Sequence, residues 1–286
     1  MQLIRKRPRL LATLLAKDEA DILAHTIEHH LNIGVDAFII TNNRSSDKTR
    51  DIAASYKEVL KVFDEEDETH NQEAHVTKMA HYACKYRPEW IVHLDADELW
   101  CGFEFLDNVK ENAVASEVAF IHPPVTPEFG FDPHEQRHYL DMKVLQEGET
   151  KVLHRPSDKI VMHHGNHWLD GVDGPILRTK EIYRHHYPLR CYQQMVIKAV
   201  VGHKAMRKRG SYCGRWGMWH DLYEEGKLED KFNKTVANWN EMVENGLDNE
   251  LVTEMIKFYA GSPEGFERAA VGIRQGIVPE IKEWTP

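Results

Sequence analysis

Short apolar runs alternate with stretches in which apolar residues recur every three or four positions over the first hundred residues of this chain. Leu10–Ala16 reads as a buried first strand. Leu23, Ile27 and Leu31 then recur at every fourth position, the mark of an amphipathic helix, and Gly34 closes it. Ala37–Thr41 reads as a second strand. A helix from Lys48 to Ser55 follows, with Asp47 as its cap, and Val59–Phe63 reads as a third strand. Val76, Met79, Ala80, Ala83 and Cys84 share one face of a helix running from Asn71 to Lys85, and Trp90–Leu94 is a fourth strand. The alternation predicts an α/β fold whose sheet is mostly parallel, with helices on both faces.

From Glu117 to Arg184 the pattern changes to prolines, aromatics, histidines and short alternating runs. Ser116–Ile121, Lys151–His154, Lys159–His163 and Ile176–Tyr183 read as strands among hairpins and loops. Beyond Pro188, Tyr192, Val196, Ala199, Val200 and His203 fall on one helical face, and Val252, Met255, Ile256 and Tyr259 on another. We therefore expect an α/β domain over residues 1–209, with halves 9–115 and 116–209, and a helical extension over 210–286.

Composition narrows the function classes. With 42% hydrophobic and 29% charged residues, the 286-residue chain can bury a substantial core. A formal net charge of −10 lacks the basic footprint of a nucleic-acid binder. No apolar run approaches the roughly 18–20 residues that span a bilayer. The basic start, Met1 to Arg9, is followed by an apolar run that Lys17-Asp18-Glu19 breaks too soon for a signal peptide, so at most a peripheral membrane contact is expected. Cys84, Cys101, Cys191 and Cys213 form no C-x-x-C pair, which suits free thiols in a reducing cytoplasm.

The chemistry concentrates at the end of the fourth strand. Trp90-Ile91-Val92-His93-Leu94 runs into Asp95, Asp97 and Glu98, three carboxylates within four residues. Crowded acids repel, and a hard divalent cation, Mg²⁺ or Mn²⁺, is the simplest compensation, with coordination positions left for phosphate. In open α/β sheets ligands sit beyond the carboxyl ends of the strands, where these acids belong. No G-x-G-x-x-G follows the first strand and no G-x-x-x-x-G-K-[ST] occurs, so two common phosphate-binding markers are missing.

Several separated stretches together resemble the GT-A-fold glycosyltransferases of the family 2 type, in a bacterial branch with an Asp-Ala-Asp-Glu signature. Lys17-Asp18-Glu19 resembles the family's opening Lys/Arg-Asn-Glu, with Asp18 in place of Asn. His29-His30 and Gly34-Val35-Asp36 match its approach to the second strand. Asn42-Asn43-Arg44-Ser45-Ser46-Asp47-Lys48-Thr49 resembles "DDGSTDGT", with two amides for the leading acids. Asn71-Gln72, Met79-Ala80 and Asp95-Ala96-Asp97-Glu98 follow in the family's order. So do Lys151-Val152-Leu153-His154-Arg155 and Gly165-Asn166-His167, then His186-Tyr187-Pro188-Leu189-Arg190 with Gln194, Lys198 and Gly202. Cys191 stands where Ser is usual. The match covers residues 10–206.

The resemblance implies a metal-dependent glycosyltransferase that uses a nucleotide-sugar donor, UDP foremost, and a carbohydrate, glycolipid or cell-surface acceptor. It implies that 9–115 is the nucleotide-binding half and that 116–209 completes the metal and acceptor sites. Asp95 and Asp97 would hold Mn²⁺ or Mg²⁺ with His186, for which His163, His164 and His167 compete. Glu19, Asn42, Asn43 and Asp47 would line the nucleoside end, and Arg190 and Lys198 would meet phosphate. An inverting reaction needs a base near the acceptor hydroxyl. Asp170 is preferred, beside Trp168, with His167, Asp173 and Glu128 as further candidates. Two rival readings remain: a metallophosphoesterase, from Gly165-Asn166-His167 and Asp132-Pro133-His134, and an inactive GT-A-like binding module.

Overall fold

The computed structural model describes residues 7–66, 71–121, 138–142, 150–210, 214–245 and 281–283. In chain order the elements are β1 (Leu10–Ala16), α1 (Leu23–Asn32), β2 (Ala37–Asn43), α2 (Thr49–Ser55), β3 (Val59–Glu65), α3 (Gln72–Ala83), β4 (Trp90–Asp95), β5 (Glu98–Cys101) and β6 (Ala113–Ile121). They continue with β7 (His138–Met142), β8 (Lys151–His154), β9 (Val161–Met162), β10 (Leu169–Asp170) and β11 (Ile176–His186). Helices α4 (Tyr192–Ile197), α5 (His203–Arg209), α6 (Gly214–Glu224) and α7 (Leu228–Asn245) follow, and then β12 (Ile281–Glu283). Among the described residues no helix is long and apolar enough to cross a membrane. The expected helix around Val252 lies outside the described residues.

The described residues form two compact units. The first draws on 7–66, 71–118 and 150–185, and the second on 119–121, 138–142, 186–210, 214–245 and 281–283. In the first unit β3, β2, β1 and β4 lie side by side in that order, all parallel. Beyond β4 the sheet continues antiparallel through β8 to β6, and β11 pairs with both β5 and β6.

The apolar runs are explained by coverage on both faces. Leu10, Ala12, Leu14 and Ala16 of β1 pack with Leu23 and Ile27 of α1 and Ala53 of α2. Leu11, from the opposite face, packs with Ile39, Ile91 and with Val76, Met79 and Ala83 of α3. Alternate residues of a strand point to opposite faces, so a strand between two helical layers has no polar side to show.

Strand ends depart from the hydrophobic pattern. β2 runs on to Asn43, β4 includes Asp95, and β11 reaches His186, because backbone pairing does not stop where polarity begins. The expected Lys159–His163 strand shrinks to β9, which pairs with β10 in a separate two-stranded ribbon.

Polar groups cross the sheet's centre as a chain. Thr13 and His93 stand opposite each other on β1 and β4. The Thr13 hydroxyl lies 2.7 Å from His93 Nδ1, His93 Nε2 lies 2.9 Å from His154 Nε2, and His154 Nδ1 lies 2.7 Å from the Arg155 carbonyl. A carbonyl only accepts, so His154 Nδ1 carries a proton and its Nε2 accepts from His93. His93 Nδ1 then accepts from Thr13. Burial pushes His154 down to about 4 and, with His154 beside it, holds His93 well below the usual range. His30 is pushed down to about 3, by burial first and then by His29.

In the second unit Ala119–Ile121 of β6 pairs with β7, which pairs with β12. The helices pack around buried Trp219, Leu228 and Phe232, with the Tyr192 and Phe232 rings 5.7 Å apart. Between α4 and α5 a π-helical turn, Lys198–Gly202, brings Gly202 against the Trp216 indole so closely that a β-carbon would collide with it.

The buried imidazoles predict acid lability. Their folded values lie below the ordinary 6.5, so between these values the unfolded chain binds more protons. Their stabilisation is complete above about pH 6.5 and is lost as pH falls toward about 4, by ~1.4 kcal/mol per pH unit for each ring. Urea midpoints measured from about pH 7.5 to about pH 5 should be level and then decline. A level profile throughout would contradict the assignment of neutral rings.

Candidate functional site

Chain order places β2 and β3 on one side of β1 and β4 on the other. The direction of winding therefore reverses between β1 and β4, and the carboxyl ends of these strands flank the crevice where open α/β sheets bind ligands. β4 ends there in Asp95. Ala96 and Asp97 form a two-residue turn, and β5 begins with Glu98.

Helix α1 fixes this turn. The Thr26 hydroxyl donates to the Ala96 carbonyl at 2.6 Å. His29 Nε2 bonds the Trp100 carbonyl at 2.6 Å. His30 Nδ1 donates to the Thr26 carbonyl and its Nε2 accepts the Trp100 N–H at 3.2 Å. At the far end of β5, Gly102 adopts φ +84°, and a β-carbon there would run into the Glu181 carbonyl of β11.

The three acids are treated differently. Glu98 is buried, and its Oε1 accepts from Arg184 Nε at 3.2 Å and lies 3.4 Å from Lys151 Nζ. Its Oε2 accepts from Trp100 Nε1 at 3.3 Å. Lys151 Nζ also donates to Asp95 Oδ2, while Asp95 Oδ1 accepts from Asn166 Nδ2 at 3.1 Å and Gln72 Nε2 at 3.4 Å. Gln72 Oε1 in turn accepts the Gly165 N–H at 3.0 Å, so this amide's orientation is set from both ends. Burial works against charge on Lys151, yet Asp95 and Glu98 outweigh it and hold the ammonium above its ordinary range.

The mutual repulsion of these acids is met in part within the protein. Asp95 and Glu98 carry their own counter-charges in Lys151 and Arg184. Asp97 sits in the turn, largely buried. Among the described residues no three His, Cys, Asp or Glu side chains form a metal-holding cluster.

Around the neighbouring strand ends the candidates brace loops. Asn42 Nδ2 donates to Asp64 Oδ1 at 3.1 Å and its Oδ1 accepts the Ser45 N–H. Asp47 accepts the Thr49 N–H at 2.9 Å through one oxygen and the Ala20 N–H at 3.0 Å through the other. It thus reaches the first turn of α2 from one residue before the cap position, and ties that turn to the β1–α1 loop. The Glu19 N–H donates to the Thr49 hydroxyl at 2.8 Å, and the Asn43 carbonyl accepts from Lys17 Nζ at 3.3 Å.

The β9–β10 ribbon carries the acceptor-side candidates. Asp170 Oδ2 lies 2.8 Å from His163 Nε2, both on the exposed surface, and Trp168 is 43% exposed. His167 Nδ1 donates to the Thr150 carbonyl at 2.8 Å. Asp173 is exposed beside Lys159, and Glu128 lies outside the described residues. In the second unit His186 ends β11. Arg190 is buried, with its guanidinium on the Tyr187 carbonyl at 3.1 Å and its N–H on Gln194 at 2.9 Å. Lys198 Nζ donates to the Pro188 carbonyl at 2.6 Å.

No protein-family model matches the chain, and no curated protein matches it by sequence. Among solved structures it is similar to S. aureus TarS 1–349, at 11% identity, covering 94% of this chain and 83% of that one, with a TM-score of 0.40. It is similar to the mannosyltransferase PcManGT from Pyrobaculum calidifontis in complex with GDP-Man and Mn²⁺, at 14% identity, 94% and 87% coverage, and a TM-score of 0.39. A third is glucosyl-3-phosphoglycerate synthase from Mycobacterium tuberculosis in complex with Mn²⁺, UDP and glucosyl-3-phosphoglycerate, at 15% identity, 40% and 44% coverage, and a TM-score of 0.31. Scores this low establish no family for the chain.

Reading the acids alone misses Gln72, Lys151, Asn166 and Arg184. The first three stand within recognisable motifs, which was the available signal. Arg184 carries none. Removing one member of a buried charge set leaves the rest uncompensated, at a cost of about 3–5 kcal/mol. Glu98→Leu should therefore lower the unfolding free energy by about 3 kcal/mol in urea titrations, and a loss under about 1 kcal/mol would show that Arg184 and Lys151 find solvent instead.

Proposed function

We propose that this protein is a divalent-cation-dependent glycosyltransferase of the GT-A type. It moves a sugar from a nucleoside-diphosphate donor, UDP foremost, to a glycan, lipid-linked or cell-surface acceptor. The observation that carries this reading is the position of Asp95 and Asp97, at the carboxyl end of β4 where the winding of the parallel sheet reverses. The motifs that lead to and from this turn in sequence add to it.

Two hard oxygen donors suit Mn²⁺ or Mg²⁺ and leave coordination positions for a diphosphate. In this reading Asp97 and Asp95 hold the ion, with His186 as the histidine the sequence resemblance assigns. When bound, it supplies charge compensation for the departing diphosphate. Gln72, Asn166 and Lys151 keep the Asp95 carboxylate in one orientation. Glu19, Asn42, Asn43 and Asp47 frame the nucleoside end, and Arg190 and Lys198 keep their assigned phosphate roles. Asp170, held by His163, takes the proton of the acceptor hydroxyl, with His167 as the second candidate, and Trp168 offers a flat face for a sugar ring. Cysteines outside any disulfide at Cys84, Cys101 and Cys191 accord with a cytoplasmic enzyme.

A panel of nucleotide sugars tested for Mn²⁺-dependent thermal stabilisation identifies the donor. Asp97→Ala should abolish donor turnover while leaving the melting transition in place; undiminished turnover would falsify the cation's role. His186→Ala should weaken apparent Mn²⁺ affinity at constant nucleotide. An unchanged affinity transfers that role to His163, His164 or His167.

A further inference from the structure

We propose that Lys151 makes divalent-cation binding at the Asp95–Asp97 turn conditional on the nucleoside diphosphate. This inference rests on the reading above for its nucleotide.

An ionised carboxylate offers about four lone-pair positions. At Asp95 one oxygen receives the Lys151 ammonium and the other receives the Asn166 and Gln72 amides. An ion approaching Asp95 alone therefore meets a carboxylate whose charge is already shared, and a fixed positive charge in contact with it. Lys151 has no easy retreat. Its side chain is 4% exposed, and its second partner, Glu98, is itself buried against Arg184 and Trp100. Like charges repel most where solvent is excluded.

A diphosphate reverses this balance. It brings negative charge that offsets the ammonium, and oxygen ligands for the ion's remaining positions. Ion and nucleotide then bind as one unit, and neither a resident metal nor an ion-first order fits this charge set. The observation is independent of which histidine completes the coordination.

The test is Mn²⁺ titration of the full chain, read by loss of the free-ion electron paramagnetic resonance signal, without and with UDP. The wild type should bind Mn²⁺ at least about tenfold more tightly with UDP present. Lys151→Met should bind Mn²⁺ alone about tenfold more tightly than the wild type, and adding Asp95→Asn should remove that gain. Lys151→Arg, which keeps the charge, should keep the wild-type dependence on UDP. A folded Lys151→Met protein with unchanged or weaker affinity for Mn²⁺ alone overturns the inference. Should Lys151→Met fail to fold, the wild type and Lys151→Arg still decide it, since Mn²⁺ binding that UDP does not improve in either also overturns it. Calorimetry with UDP separates the two levels. If UDP does not bind with or without Mn²⁺, the glycosyltransferase reading falls as well; if UDP binds and the conditions above fail, only the role of Lys151 falls.

Discussion

Two cations buried behind an acidic turn govern the functional end of the first unit. Lys151 and Arg184 sit against Glu98, and Lys151 reaches Asp95 as well. Buried ion pairs are poor sources of stability, because desolvation consumes much of what their attraction returns. Apolar side chains of similar size would hold these strands together at least as well. What the charges supply is position. With an ammonium on one oxygen and two amides on the other, the Asp95 carboxylate has a single orientation at the strand's tip.

That position is assembled from segments far apart in the chain. Gln72 opens α3, Lys151 opens β8, Glu98 opens β5, Arg184 comes from β11, and Asn166 from the short helical turn before β10. Asn166 concentrates the strain. It adopts φ +59°, and its buried Oδ1 has no protein partner among the described residues, while its Nδ2 serves Asp95. An unpartnered buried acceptor costs about 1–3 kcal/mol. Such costs gather where the structure over-determines one residue's conformation, which is a property of sites rather than of scaffolding.

The layered fold was legible because its signals are local. A period of two or of about 3.6 residues is read from neighbours, and β1 to β4 with α1 to α3 follow it. Strand ends were less legible, since Asn42, Asn43 and Asp95 belong to their strands through backbone pairing and not through polarity. The acids of the candidate site also announced themselves. Of their counter-charges Lys151 stood in a motif and Arg184 did not, and an arginine many residues away carries no mark of where its side chain will be buried. The partners of histidines are no easier to read. His29 and His30 bond the backbone of Trp100 and Thr26, and His93 and His154 form the polar chain through the sheet.

Helix α1 ties the site to the core. Thr26, His29 and His30 are spaced so that all lie on one helical face, and that face holds the carbonyl of Ala96 and both backbone groups of Trp100. The same turn of helix buries Ile27 against β1. The acidic turn is therefore held to α1 at both Ala96 and Trp100. Any change that charges His30 disturbs the grip on β5 and the packing of α1 together. Protonation of His30 at low pH therefore acts on the acidic turn and on the core through the same turn of helix.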